Sequence, residues 1–108
     1  MMTFHKLAKL SALLSIFFVG PCLAADELSI AIDNFAFTPA EATVKAGAKV
    51  VFVNHDDIPH SIVGETIKIH SKALDTDGSF SFVFDKPGEF VYFCGLHPKM
   101  KGKITVTP

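Results

Sequence analysis

Short runs of alternating apolar and polar residues most constrain how this 108-residue chain can fold. The clearest runs are LSIAID (28–33), KVVFVN (49–54), SFSFVF (79–84), EFVYFC (89–94) and GKITVT (102–107). A period of two is typical of strands that bury one face, and turn sequences containing Gly or Pro separate the runs. No long segment has helical periodicity. The pattern therefore predicts an all-β fold, a small antiparallel β-sandwich, with one further short strand expected at 66–69.

Residues 1–25 differ in composition from the rest of the chain. Lys6 and Lys9 precede the apolar run LSALLSIFFV (10–19), and small residues follow it in PCLAA. This order is typical of a secretory signal peptide, and the apolar run is too short to span a bilayer. We expect residues 1–25 to be cleaved on export to the periplasm and residues 26–108 to form a single domain. The alternative is an N-terminal membrane anchor that stays attached.

Cleavage would leave a chain with 8 Lys, no Arg and 11 acidic residues, and thus a net charge of −3. This balance argues against nucleic acid as a partner, because nucleic-acid binding needs a basic surface. Cleavage would also leave one cysteine, Cys94, and one methionine, Met100. A single thiol in an exported protein requires an explanation. Metal ligation would protect it, whereas the alternative is a buried cysteine that packs as a small apolar residue.

The segment CGLHPKM (94–100) places Cys94, His97 and Met100 at intervals of three. Gly95 and Pro98 interrupt regular structure, so we expect a turn that directs the three side chains towards one centre. A thiolate, two imidazoles and a weak thioether form the ligand set of a blue-copper site, whereas methionine is a poor zinc ligand. Four protein ligands leave no open position, which favours electron transfer over enzymatic catalysis.

A fourth ligand must come from another part of the chain, and His55, His60 and His70 are the candidates. His60 stands close after the run KVVFVN, and Pro59 restricts the backbone immediately before it. The residues alone leave the choice among the three histidines open.

The segment PGEFVYFCGLHPKMKGKITV resembles the C-terminal signature of the cupredoxins, the blue copper proteins. Its short Cys-x-x-His-x-x-Met spacing resembles the amicyanin branch, as does the upstream segment IDNFAFTPAEATVKAGAKVVFVNHDDIPHSIV. The resemblance covers nearly all of residues 26–108. It implies a Greek-key β-sandwich, one bound copper ion that alternates between Cu(I) and Cu(II), and the ligands His60, Cys94, His97 and Met100.

The resemblance also assigns roles around the ligands. It implies that Asn54 braces the copper-binding loops, and it gives His55 and His70 no ligand counterpart. Two residues depart from the family pattern. Ser61 stands where Asn usually follows the first ligand His, which leaves the usual bracing between loops open. Leu96 stands where Pro is usual, so its N–H is a potential hydrogen-bond donor to the cysteine sulfur.

The implied function is that of a soluble one-electron carrier. Its expected partners are a dehydrogenase-type donor, as methylamine dehydrogenase is for the family, and a c-type cytochrome acceptor, which would dock around His97. We expect a monomer with no membrane span after cleavage. One alternative is a copper-trafficking or copper-resistance protein that uses the same ligands for storage or delivery. A metal-free interaction module is the other.

Overall fold

The computed structural model describes residues 26–108, so the predicted signal peptide lies outside the described residues. The described part contains eight strands and no helix. The strands are β1 (Glu27–Asp33), β2 (Ala36–Thr38), β3 (Glu41–Lys45), β4 (Ala48–Asn54), β5 (Val63–Gly64), β6 (Ser79–Phe84), β7 (Gly88–Phe93) and β8 (Lys101–Thr107). All five clearly alternating runs are strands, within one or two residues of their predicted ends.

The strand expected at residues 66–69 is absent, and this prediction is wrong. The Gly64 N–H donates to the Ile69 carbonyl and the Ile69 N–H donates to the Ile67 carbonyl, so the segment turns back on itself. Alternation of Ile67 and Ile69 with polar residues suits a strand, but the pairing with β7 ends at Thr66, whose side-chain Oγ1, rather than its carbonyl, accepts the Val91 N–H. The structure places the short strand earlier, at β5.

Two four-stranded sheets form the predicted sandwich, in the orders β2-β1-β4-β6 and β3-β8-β7-β5. The all-β sandwich is confirmed, but a purely antiparallel arrangement is not. β1 pairs with β4, and β3 pairs with β8, in parallel. Between β1 and β4 the chain crosses to the other sheet to form β3 and then returns, so β4 lies beside β1 in the same direction. Repeated crossing between the sheets is the connectivity of a Greek-key sandwich.

The core lies between the sheets and is built from the inward side of each alternating strand. Its fully buried members are Ile30, Ile32, Val50, Phe52, Ile62, Phe84, Tyr92 and Ile104. Tyr92 packs edge-on against Phe37 and Phe52, with ring centroids 4.8 and 5.2 Å apart. Within residues 26–108, no helix has the length and apolar character needed to cross a membrane. The packed core thus supports β4 and β7, the two strands from which the loops of the candidate site extend.

Candidate metal centre

The turn between β7 and β8 is closed by backbone hydrogen bonds that follow the three-residue spacing. The His97 N–H donates to the Cys94 carbonyl at 3.2 Å, and the Met100 N–H donates to the His97 carbonyl at 2.9 Å. The Cys94 N–H then donates to the Met100 carbonyl at 3.0 Å. Each potential ligand is thus tied to the next by backbone hydrogen bonds, which give the turn a defined shape.

The structure brings His60, Cys94 and His97 together, although His60 lies 34 residues before Cys94. Cys94 Sγ lies 3.6 Å from His60 Nδ1 and 3.8 Å from His97 Nδ1, and the three donor atoms lie within 4.8 Å of one another. Cys94 and His60 are fully buried, Met100 is buried in the same turn, and His97 is half-buried. The cluster therefore has one partly exposed side, at His97.

The spacing of these donor atoms fits a first-row metal ion. With metal–sulfur and metal–nitrogen bonds of about 2.3 and 2.0 Å, a trigonal site requires a sulfur–nitrogen separation of about 3.7 Å. The two observed separations, 3.6 and 3.8 Å, lie on either side of this value. The set of one thiolate, two imidazoles and a buried thioether is soft, so the ion that it fits is copper.

Asp56 fixes the orientation of the His60 ring. One carboxylate oxygen, Oδ2, lies 2.8 Å from His60 Nε2, so the ring donates its Nε2–H to the carboxylate. Nδ1 faces the sulfur of Cys94, and in the neutral ring with its proton on Nε2 the Nδ1 lone pair is available for a metal. No sequence pattern singles out Asp56, because its position beside His60 depends on how the loop between β4 and β5 folds.

The carboxylate of Asp56 also accepts hydrogen bonds from the backbone of the β1–β2 turn. The Asn34 N–H donates to Oδ1 at 2.6 Å and the Phe35 N–H donates to Oδ2 at 2.9 Å. Partial burial raises the pKa of Asp56, but the hydrogen bonds from Phe35, Asn34 and His60 outweigh that effect and hold it below its usual value. Asp56 therefore remains an anionic acceptor that joins this turn to His60.

Asn54 braces the loop that carries His60, which is part of the role that the resemblance implied. Its Nδ2 donates to the Ile58 carbonyl at 2.9 Å and to the Leu74 carbonyl at 2.8 Å. Its Oδ1 accepts the Asp56 N–H at 2.9 Å. Because Asn54 is fully buried at the end of β4, these bonds connect the loop that carries His60 to the chain around Leu74.

Ser61 supplies the bracing between loops that its departure from the family pattern left open. Its Oγ accepts the Gly95 N–H at 3.0 Å, and its own N–H donates to Cys94 Sγ at 3.4 Å. A Cβ atom on residue 95 would lie only 2.8 Å from Ser61 Oγ, so the absence of a side chain at Gly95 permits this close approach. The short Ser61 thus binds both the neighbouring turn and the sulfur.

Leu96 does not provide the sulfur hydrogen bond that the sequence left open. Among residues 26–108, the backbone N–H that donates to Cys94 Sγ is that of Ser61. The Leu96 side chain is half-exposed and lies beside His97 and Pro98 on the surface. Leu96 therefore forms part of the exposed apolar surface next to the candidate site.

His55 and His70, the other two candidate ligands, lie outside the cluster. Both side chains are exposed, and the metal-ligating group found within residues 26–108 contains neither of them. His55 donates its N–H to the Ile32 carbonyl, and His70 forms an isolated bridge with Val63. Of the three candidate histidines, His60 is therefore the one whose side chain lies in the cluster.

Comparison with known proteins finds similarity to cupredoxin-like proteins. A family model for the cupredoxin-like domain matches residues 6–106. The chain is 33% identical to an amicyanin of Paracoccus versutus, over 76% of this chain and 66% of the relative. It is 37% identical to a plastocyanin of Scenedesmus fuscus, over 65% of this chain and 85% of the relative. A methionine-to-alanine mutant of amicyanin, solved in its Cu(I) form, superimposes with a TM-score of 0.70 at 25% identity and covers 78% of this chain and 85% of that one.

Proposed function

The chain belongs to the family of cupredoxin-like domains, and on this basis we propose that it is a blue copper protein that carries single electrons. We propose that His60, Cys94, His97 and Met100 hold one copper ion. The observation that carries the proposal is the convergence of three soft or borderline donor atoms at distances that suit one ion. Copper would supply a one-electron couple between Cu(I) and Cu(II).

The residues around the ligands keep the donor atoms in place while the charge of the site changes. Asp56 holds the His60 ring, and Ser61 links its own loop to Gly95 in the turn of the other ligands. The full burial of Cys94 keeps water away from the sulfur. A site that hardly moves between two charge states loses little energy to reorganisation, so the bracing supports electron transfer.

A carrier is favoured over both an enzyme and a copper-trafficking protein. Four protein donors leave no position at which a substrate could bind the metal. The alternative, a trafficking or resistance protein, needs ligands that release copper readily. Here the full burial of His60 and Cys94, and the hydrogen bonds that hold both loops, oppose release.

We propose that redox partners dock on the surface around His97, which is the least buried of the proposed ligands. Phe35, Leu96 and Pro98 border His97 there and line a shallow apolar hollow of about 500 Å³. An apolar contact at this point would bring a partner's redox centre close to the imidazole. We propose a methylamine dehydrogenase-like donor, a c-type cytochrome acceptor and a monomeric carrier.

Two exposed lysines, one in the turn that carries His97 and one immediately after it, would steer an acidic partner. Lys99 and Lys101 are exposed, whereas Lys103 lies 3.8 Å from the carboxylate of Glu89. Attraction by Lys99 and Lys101 would make association faster at low salt and slower at high salt.

We also propose that residues 1–25 are a secretory signal peptide and that the protein works in the periplasm. The two lysines, the apolar run and the small residues that follow it support this proposal. Sequencing of the N-terminus of protein recovered from the periplasmic fraction would test it. The proposal predicts a new N-terminus close to Asp26, and an intact Met1 in the membrane fraction would contradict it.

The experiment that tests the carrier proposal is repeated redox cycling in the presence of a mild copper chelator. The protein is loaded with one equivalent of Cu(II) and is then reduced and reoxidised many times. A carrier should retain its copper and its visible colour through all cycles. Transfer of the copper to the chelator on each reduction would favour the trafficking alternative.

A further inference from the structure

The β1–β2 hairpin turns through two residues, Asn34 and Phe35, because Asp33 pairs directly with Ala36. Both turn residues have positive φ, 54° and 60°. Two successive positive φ values define a type I′ turn, in which Asn followed by Gly is the preferred sequence. A bulky residue is strained in this backbone conformation, so the phenylalanine in the second position requires an explanation other than turn formation.

The Phe35 side chain lies over the candidate metal centre. Its ring is 49% exposed and meets both ligand histidines edge-on. The ring centroids lie 5.4 Å from that of His60 and 5.2 Å from that of His97, with interplanar angles of 90° and 85°. This separation and this perpendicular arrangement are those of favourable aromatic pairs. A glycine in the turn would make neither contact.

The backbone of Phe35 is tied to the same group that orients His60. Its N–H donates to Asp56 Oδ2, the oxygen that also accepts the Nε2–H of His60. The Asn34 N–H donates to the other carboxylate oxygen. The tip of the hairpin therefore has a fixed position relative to the metal ligands, and the ring that it carries is fixed with it.

His97 has less support of its own than His60. The Nε2 of His60 is held by Asp56. The His97 ring lies at the half-exposed side of the cluster, and among the hydrogen bonds formed within residues 26–108 its contact is the one from Nδ1 towards Cys94 Sγ. Among the ring pairs within residues 26–108, the His97 ring packs against His60 and Phe35, with centroids 4.9 and 5.2 Å away. His60 is itself a proposed ligand, so the edge-on contact with Phe35 is the ring contact that orients His97 from outside the ligand set.

We propose that Phe35 is a positioning residue that holds the His97 imidazole in its ligating orientation. The Phe35 ring restricts the motion of the most exposed ligand, and this contribution offsets the strain of a phenylalanine in a type I′ turn. This inference rests on the proposed copper site, but the orientation of the His97 ring can also be measured in the metal-free protein.

The test compares Phe35→Gly with Phe35→Tyr and with Val83→Ala. Glycine suits the turn and removes the ring, whereas tyrosine keeps the ring. Val83 is a matched control because it is also a half-exposed apolar residue, at 51%, and lies on β6 away from the ligands. The full chain of each variant is loaded with Cu(II), and the rate of copper loss to a chelator is measured. The order of the His97 ring is measured by NMR relaxation in the metal-free form.

Loss of edge-on aromatic contacts should speed copper loss from Phe35→Gly about two- to tenfold. The melting temperature of this variant should not fall below that of the parent, because glycine relieves the strained turn. Phe35→Tyr and Val83→Ala should lose copper at the parent rate. In the metal-free form, Phe35→Gly should show a more mobile His97 ring than the other three proteins.

Copper loss from Phe35→Gly at the parent rate would overturn the inference, as would equally fast loss from Val83→Ala. If the parent chain binds no copper, the proposed function fails, and the NMR comparison then decides the role of Phe35 alone. An unchanged His97 ring order in metal-free Phe35→Gly would overturn the inference in that case.

Discussion

Tyr92 and Cys94 lie two residues apart at the end of β7, point to the same side of the sheet and are both fully buried, but their surroundings differ. Tyr92 lies among aromatic rings, and within residues 26–108 its hydroxyl has no hydrogen-bond partner. Burial accordingly raises the pKa of Tyr92 far above its usual value. The Cys94 sulfur, in contrast, receives one N–H and faces two imidazole nitrogens.

This difference shows that burial alone does not make a site. Position 92 on β7 holds a core residue, whereas position 94, just past the end of the strand, holds a candidate metal ligand where polar loops begin. At Tyr92 the surroundings offer packing but no polar partner. At Cys94 they offer donor atoms that need a cation. Substitutions at the two positions and around them separate these effects.

Cys94→Ser should cause the largest change, because it replaces the soft ligand while it preserves size and burial. The visible colour that arises from charge transfer between thiolate and copper should disappear. Copper affinity should fall by more than the roughly 10- to 100-fold that is typical for loss of a supporting residue. Absorption spectra and copper titration measure both effects. Tyr92→Phe is the matched control on the same strand and should keep full colour, so a coloured Cys94→Ser protein would refute the assignment.

His60→Ala should alter the colour and weaken copper binding, whereas His70→Ala should change neither. His60 Nδ1 faces the sulfur, while His70 is exposed and lies outside the donor cluster. The two substitutions remove the same side chain from the same β4–β6 part of the chain, so each serves as the control for the other. A site bleached by His70→Ala but not by His60→Ala would mean that the wrong histidine has been assigned.

Gly102→Ala should destabilise the core around Tyr92 without altering the copper site. Residue 102 pairs with Tyr92 across β7 and β8, and a Cβ there would overlap the Tyr92 ring. Overpacking of this kind typically lowers the free energy of unfolding by about 1–3 kcal/mol. Urea denaturation measures the change, and the colour of the copper-loaded variant should stay that of the parent. Unchanged stability would show that the ring has room to move.

Tyr92→Phe should have the smallest effect and should stabilise the protein. It removes a buried hydroxyl that has no partner among the described residues and keeps the ring contacts with Phe37 and Phe52. Removal of an unsatisfied buried polar group should raise the free energy of unfolding by about 1 kcal/mol. Urea denaturation of the parent and the variant tests this value. A loss of stability would mean that the hydroxyl has a partner after all.

The sequence predicted the long strands because each has a clear inward side. It missed β2, β3 and β5 for different physical reasons. β5 has only two residues, and β2 has three, so neither shows a period. β3 does bury Val44, but its other residues include Ala and Glu, which have low strand propensity. The apolar alternation at Ile67 and Ile69 gave a false strand because pairing depends on neighbours that the local pattern cannot show.

The donor cluster was predictable for the residues whose chemistry is distinctive. Cys94, His97 and Met100 stand out as soft donors in one turn, and the resemblance to the cupredoxins pointed to His60. The supporting residues were not predictable in the same way. Asp56 precedes His60 by four positions, but no sequence pattern indicates that its carboxylate contacts the imidazole. Phe35 lies in the β1–β2 hairpin, distant in sequence from both loops that carry the proposed ligands. Their roles arise from contacts between loops that are distant in sequence.

X-ray absorption spectroscopy of the copper-loaded protein tests the ligand set itself, because it reports the atoms that surround the metal. We expect one sulfur and two imidazole nitrogens at about 2.0–2.3 Å from a single copper ion. In Cys94→Ser, the short sulfur contribution should vanish. A parent spectrum with only oxygen and nitrogen neighbours, and no short sulfur, would contradict the assignment of His60, Cys94 and His97 as the ligands of this site.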